Sequence, residues 1–236
     1  MAGSQSNGDG SGRPDGDPSA CGPGCACAAG NEFSAGEVRR ELRSYRRSGP
    51  PRTTRWLIEG LRADGVDGLT VLDIGAGVGA VHQQLLADGA ARAIDIDGSP
   101  AFVDAARDEA ARRGTLDRVR YEVGDFVALA PDMEPADLVA LDRVLCCYSD
   151  MAALVRLSAV LAGRRYGLVY PRDTWWMRLA GRLLNGVAVL FHRRTRAWIH
   201  RTADVEALVT AAGLTPRSHR ATLYWQVAVY ERPAVG

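Results

Sequence analysis

Short apolar runs punctuate this chain, separated by stretches with helical periodicity. The runs at Thr70–Ile74, Ala91–Asp97, Val119–Val123, Ala136–Leu141 and Tyr166–Tyr170 predict buried strands. Helical spacing predicts helices over Val78–Ala87, Pro100–Arg113 and Met151–Ala162, and the third strand is followed by a short polar connection. Two helices, Ser34–Arg47 and Pro51–Arg62, precede the first strand. Beyond the fifth strand come an amphipathic helix over Trp175–Phe191 and a helix over Ala203–Ala212 that Gly213 can stop. The tail alternates from Trp225 to Tyr230 and reads as a strand, antiparallel to another near Ser218–Thr222. Strands alternating with helices imply an α/β fold, a parallel sheet doubly wound by helices on its two faces. Residues 1–33 are rich in Gly, Ser, Asp and Pro, cannot offset the entropy of ordering, and read as a disordered tail. The remainder, 34–236, reads as one domain, with 34–64 a helical lid and 171–202 an insertion on the substrate side.

Composition narrows the classes. The chain has 236 residues, 47% hydrophobic and 24% charged, which suits one sizeable globular core. A formal net charge of +1 gives no global field for nucleic acid. All 29 basic residues are arginine, which excludes lysine Schiff-base chemistry and a lysine-bearing phosphate loop. From Arg164 to Arg220 there are 11 arginines against three acids, Asp173, Asp204 and Glu206, which suits either a solvated basic face or an anionic substrate. The first thirty residues lack the apolar core of a signal peptide, and Arg178 and Arg182 interrupt the most apolar window. That window reads as a helix packed on the domain or touching a membrane weakly, without stable insertion. The expected location is the cytoplasm.

The candidate chemistry gathers at the predicted strand ends. Val71-Leu72-Asp73-Ile74-Gly75-Ala76-Gly77-Val78-Gly79 is an apolar run ending on an acid and then three alternate glycines. It reads as a strand turning into a helix with its backbone bared to a nucleoside-type ligand. The sixth position of the dinucleotide pattern is Ala80 rather than glycine. Asp73 would repel a pyrophosphate and suit an ammonium or sulfonium, or it caps the turn. In Ala93-Ile94-Asp95-Ile96-Asp97 both acids share one face. Asp97 lies at the distance from Gly75 where an acid commonly takes ribose hydroxyls, and it too could cap a turn. Asp125 and Phe126 could hold an adenine, through its amine and its face, or form a turn beside the core. Asp142 and Arg143 could enter the cleft or pair on the surface.

The ordered series VLDIGAGVGA, AIDIDGSPAFVDAAR, YEVGDFVAL and PADLVALDRVL, covering Val66 to Tyr170, resembles the class I S-adenosylmethionine-dependent methyltransferases. The resemblance implies a Rossmann-like, seven-stranded sheet, mostly parallel, with a C-terminal antiparallel hairpin. It implies S-adenosyl-L-methionine as cofactor: Asp73, Gly75, Ala76, Gly77 and Gly79 on its methionine part, Asp97 on its ribose, Asp125 and Phe126 on its adenine. Ala76 departs mildly from the Cys, Ser or Thr common after the first loop glycine. The C-terminal third is faintly similar to magnesium-protoporphyrin O-methyltransferases in its order of features, and the block RVLCCYSD is similar to one in uncharacterised bacterial methyltransferases.

The expected activity is therefore transfer of a methyl group to a small-molecule acceptor, at oxygen. An NAD-dependent oxidoreductase and a non-catalytic S-adenosylmethionine-binding protein are the alternatives. An in-line displacement needs alignment and exclusion of water, and needs a base only for an acceptor proton of high pKa. Candidate bases are His192, His200, Tyr148 and Asp142. Arg172, Arg193, Arg194 and Arg196 could hold an anionic acceptor, and Trp175 with Trp176 could pack on a flat one. Cys21, Cys25 and Cys27, with Cys146 and Cys147, could grip a soft metal or metalloid, but their spacing fits no zinc pattern and no resident metal is expected. The sequence leaves the oligomeric state open.

Overall fold

The computed structural model describes residues 33–190 and 198–233, the side chains of 187–190 excepted. The expected tail 1–33, apart from Phe33, lies outside the described residues. Seven strands form one sheet: β1 (Thr70–Ile74), β2 (Arg92–Asp97), β3 (Val119–Val123), β4 (Ala136–Asp142), β5 (Ala162–Pro171), β6 (Thr215–Ala221) and β7 (Trp225–Glu231). Their spatial order is β3-β2-β1-β4-β5-β7-β6. β1 to β5 pair in parallel, and β7 runs antiparallel to both β5 and β6. The chain winds outward from β1 to β3 and then returns to place β4 on β1's other side. Parallel strands need crossovers, and helices supply them: α1 (Ala35–Ser48) and α2 (Arg52–Leu61) precede β1, and α3 (Ala80–Ala87), α4 (Pro100–Arg113), the single turn α5 (Phe126–Leu129), α6 (Met151–Val160), α7 (Trp175–Leu190) and α8 (Thr202–Ala211) follow.

Each face of the sheet carries its own core. On one, Leu57, Ile58 and Leu61 of α2 and Val81 and Leu85 of α3 bury against Val71, Leu138 and Val169. On the other, Leu154, Val155, Val205 and Val209 cover Leu72, Val139 and Leu168, and three tyrosines, Tyr166, Tyr170 and Tyr230, fill the widest space. Alternate residues of each strand serve opposite cores, as the strand period requires.

The boundaries shift for physical reasons. Gly79 adopts a left-handed φ of 78°, so Val78 stays in the loop and α3 begins at Ala80. α6 stops at Val160, and β5 starts at Ala162 instead of Tyr166. Arg165 hid that start: its charge is buried but met by Leu61 O and the Asp64 carboxylate. The polar connection after β3 contains α5, because Asp125 caps it by accepting from Val127 N at 3.1 Å. β6 is an edge strand with every residue exposed, so it carries little hydrophobic signal.

Candidate cofactor and active site

At the carboxyl ends of β1, β2 and β4, where doubly wound sheets place ligands, lies a cavity of about 280 Å³. Gly75, Ala76 and Gly77 line it from the β1 loop, Asp97 and Gly98 from β2, Asp142, Arg143 and Val144 from β4, and Cys147 beyond. A wider cleft of about 850 Å³ opens at the opposite, amino ends of the strands and holds none of these residues.

The loop is shaped by its glycines. Gly75 has φ 65° and lies so close to Val144 that a side chain there would displace it. At Gly77, φ 57°, a Cβ would meet only Glu41 Oε1, at 3.9 Å, so its bare Cα faces open cavity. Asp97 fastens the loop to β2: one oxygen accepts from Gly77 N at 2.9 Å, the other from Ser99 N at 2.8 Å. Burial raises its pKa, opposed by those two N–H donors. Each oxygen keeps acceptor capacity for a ligand hydroxyl.

Asp73 is placed beneath the loop and does not line the cavity. It is buried, and one oxygen accepts from both His82 N, at 3.2 Å, and His82 Nδ1, at 2.9 Å. His82 Nε2 faces Asp95, 3.8 Å away and also buried. A Cβ on Gly79 would lie 2.7 Å from the His82 ring, so this Asp–His–Asp row presses directly on the loop's last glycine. Burial drives the Asp95 pKa up to about 8. His82 is raised as well, because its bond to Asp73 and its two acidic neighbours outweigh the opposing effect of burial.

The roof is α1. Ser34 and Glu37 form its capping box. Val38, Leu42 and Tyr45 pack on Val78 of the loop and on Phe102 and Ala105 of α4. Phe33 meets Phe102 edge-on at 5.0 Å. Buried Glu109 gathers Arg46, Arg112 and Arg113, and Arg113 also donates to the Tyr45 hydroxyl at 2.9 Å. This anchorage suspends Glu41 over the cavity, where partial desolvation and the nearby Asp142 and Asp97 raise its pKa against the pull of Arg143.

The other predicted residues divide. Asp142 and Arg143 line the cavity, paired through Arg143 Nε and Asp142 Oδ1 at 3.2 Å, and Asp142 Oδ2 accepts from Thr54 at 2.6 Å. Arg143 is the only non-glycine residue with positive φ, 63°, among the described residues. Asp125 and Phe126 do not reach the cavity: Asp125 caps α5 and accepts from the Tyr148 hydroxyl at 2.7 Å, and Phe126 is core. Tyr148 is buried there, and His200 Nε2 donates to Leu145 O and Tyr148 O at 2.9 and 3.2 Å. Arg172 spends its guanidinium on Thr222 O, Trp176 packs edge-on to Tyr224, and Trp175 is exposed; none of the three lines the cavity. His192, Arg193, Arg194, Arg196, Cys21, Cys25 and Cys27 lie outside the described residues. Among the described residues no three His, Cys, Asp or Glu are grouped to hold a metal. Sequence reasoning missed Glu41, Phe33 and His82, and Cys147, read there only as a thiol for a soft metal or metalloid, lines the cavity. Only His82, nine residues after a buried acid, left a trace in the pattern.

Residues 71–163 match the family model described as a methyltransferase domain. A stretch of 111 residues is 33% identical to the ribosomal protein L11 methyltransferase of Enterobacter sp. (strain 638), covering 47% of this chain and 37% of that enzyme. The chain thus spans well under half of that relative's length. Among solved structures, magnesium protoporphyrin IX methyltransferase from Synechocystis PCC 6803 with bound SAH shares the fold at a TM-score of 0.70, with 23% identity over 88% of this chain and 99% of that one. The [4+2]-cyclase SpnF shares it at 0.64, with 13% identity over 89% and 97%. Sequence match and backbone likeness fall on the same strands: residues 71–163 are similar to a methyltransferase domain, and the chain shares the fold of these neighbours.

Proposed function

We propose that the chain transfers the methyl group of S-adenosyl-L-methionine to a compact small-molecule acceptor, at oxygen, in the cytoplasm. The observation that carries the reading is Asp97, a carboxylate whose two oxygens are held by backbone N–H groups at the edge of a bare-glycine cavity. The residues present fit a cationic nucleoside. Three carboxylates, Glu41, Asp97 and Asp142, line the cavity against one guanidinium, Arg143. Such a lining suits a sulfonium and an ammonium and repels a pyrophosphate, which counts against the NAD-dependent reading. Asp97 suits the ribose diol, and the Gly75–Gly77 backbone suits the methionine part. When bound, the cofactor supplies an activated methyl group on sulfur. The protein's work is to align the acceptor and exclude water, and α1 closing over the loop supports that role.

Tyr148 and His200 are tied into the turn behind the cavity, and Asp142 is occupied by Thr54 and Arg143. Glu41, raised in pKa and suspended over the cavity, is the carboxylate best placed to take an acceptor proton. The roof favours a compact acceptor over a folded protein. The match to the L11 methyltransferase covers 47% of this chain and 37% of that enzyme, so its protein substrate is not carried over to this chain. The same fold occurs in a [4+2]-cyclase, so the fold alone does not fix the chemistry, and a non-catalytic S-adenosylmethionine-binding protein is the second reading.

Calorimetry with S-adenosylmethionine, its demethylated product and NAD tests the cofactor. The expected result is binding of the first two only. Asp97→Ala should weaken it by roughly 10- to 100-fold, the cost of about 1–3 kcal/mol for a buried charged hydrogen-bond partner. Unchanged affinity would remove Asp97 from the site. Methyl transfer from labelled cofactor into a small-molecule cell extract tests turnover, and its absence with binding intact would favour the non-catalytic reading.

A further inference from the structure

Helix α7 has an outward face that the domain does not use. Of residues 175–186 only Gly181 is buried, seated against Ile199. Trp175, Leu179 and Leu183 recur every fourth residue and form one ridge, with Leu184 beside it. The turn between β6 and β7 extends the apolar surface through Leu223 and Tyr224, joined to α7 where Trp176 packs edge-on to Tyr224 at 5.8 Å. These six exposed side chains, Trp175, Leu179, Leu183, Leu184, Leu223 and Tyr224, are between 48% and 73% exposed. An apolar patch built from two elements exceeds the scattered hydrophobics of an ordinary surface.

Charge selects the occupant. Arg178 and Arg182 flank the ridge at helical spacing, both exposed, and α7 contains no acid. From Arg164 to Arg220, arginines outnumber acids 11 to three. A basic flank beside a Trp- and Leu-bearing ridge is the pattern of a helix lying in a bilayer interface, rings at headgroup depth and guanidiniums on phosphates. The ridge of Trp175, Leu179 and Leu183 is an exposed helix surface and so is convex. A fluid bilayer can mould to it, whereas a protein partner would need a matching groove. No helix among the described residues is long and apolar enough to cross a membrane, so the contact is superficial.

We propose that α7 and the β6–β7 turn dock this protein reversibly on an anionic lipid surface. The inference stands on the exposed face and does not depend on methyl transfer. The full chain is sedimented with vesicles of phosphatidylcholine alone and with vesicles containing phosphatidylglycerol. Binding to the second, weakened by added salt, is expected. R178E/R182E should lower the partition by roughly tenfold or more, since each arginine loses its attraction to the surface. L179E/L183E should abolish it. All four side chains are exposed, so circular dichroism and the melting midpoint should stay unchanged. Failure of the wild-type chain to sediment with anionic vesicles overturns the proposal, as does full binding by L179E/L183E. Equal binding to pure phosphatidylcholine overturns the anionic assignment. A concentration-dependent dimer that shields these leucines assigns the face to a second copy instead.

Discussion

The Asp73–His82–Asp95 row sits directly beneath the glycine loop, so its protonation bears on the loop's support. Asp95 ionises near 3.8 when unfolded and at about 8 when folded. His82 is raised above 6.5. In both cases the folded state holds protons the unfolded state has released, so stability falls as pH rises across that window. Asp95 acts from about pH 4 to about pH 8, and His82 adds to it above its unfolded value. Chemical denaturation at a series of pH values should show a midpoint that declines through neutrality, and Asp95→Asn should flatten the decline. A midpoint that rises from about pH 5 to about pH 8 would contradict the raised pKa values. Asp97 was legible in the sequence because its distance from Gly75 is fixed by one strand–helix–strand unit. Asp95 was legible as an acid but not as a buried one, since its partner His82 comes from α3. Glu41 was illegible: on a helix carrying Glu37, Arg39, Arg40 and Arg43, it looks like one more solvated charge.

At the level of elements, α1 is held to the domain by its apolar face and by one buried carboxylate. Glu109 has its pKa pulled down to about 2; burial opposes this, and the bonds from Arg112, Arg113 and Arg46 overcome it. The pairing therefore stabilises the fold above the unfolded carboxylate range and is lost as pH falls from about 4.5 toward about 2. Glu109→Gln removes the charge that gathers the three arginines. Amide exchange should speed up along Val38–Tyr45 while β1 and β4 keep their protection, and the affinity for S-adenosylmethionine should fall as Glu41 loses its place. Uniform exchange in α1 and the sheet would show that the roof is not a separately opening unit. The elements that sequence placed least well are those shaped by partners. β5 begins at residues whose polarity is met only in three dimensions, through Arg165 on Leu61 O, and β6 is recognisable only by its pairing with β7.

For the molecule as a whole, the matched segment 71–163 is smaller than the unit that its packing defines. α2, before that segment, docks on β5 and β7, and β7 and the paired end of β5 lie beyond it. The contact depends on two glycines. At Gly60 a Cβ would come within 2.6 Å of Val229 Cγ2, and at Gly167 it would run into Leu57 of α2. Gly167 is itself the register partner of Val229. The helix before the cofactor loop and the antiparallel hairpin after it are thus locked through one small seam, and the series of motifs from Val66 to Tyr170 does not reveal it. Gly60→Ala and Gly167→Ala should each lower stability by about 1–3 kcal/mol, the usual cost of overpacking a filled core. Because they share Val229, the double variant should depart from the sum of the two. The 236-residue chain should melt in one transition by both circular dichroism and fluorescence. Strict additivity, or a separate transition for the hairpin, would show that the two ends fold apart and that the seam does not unite them.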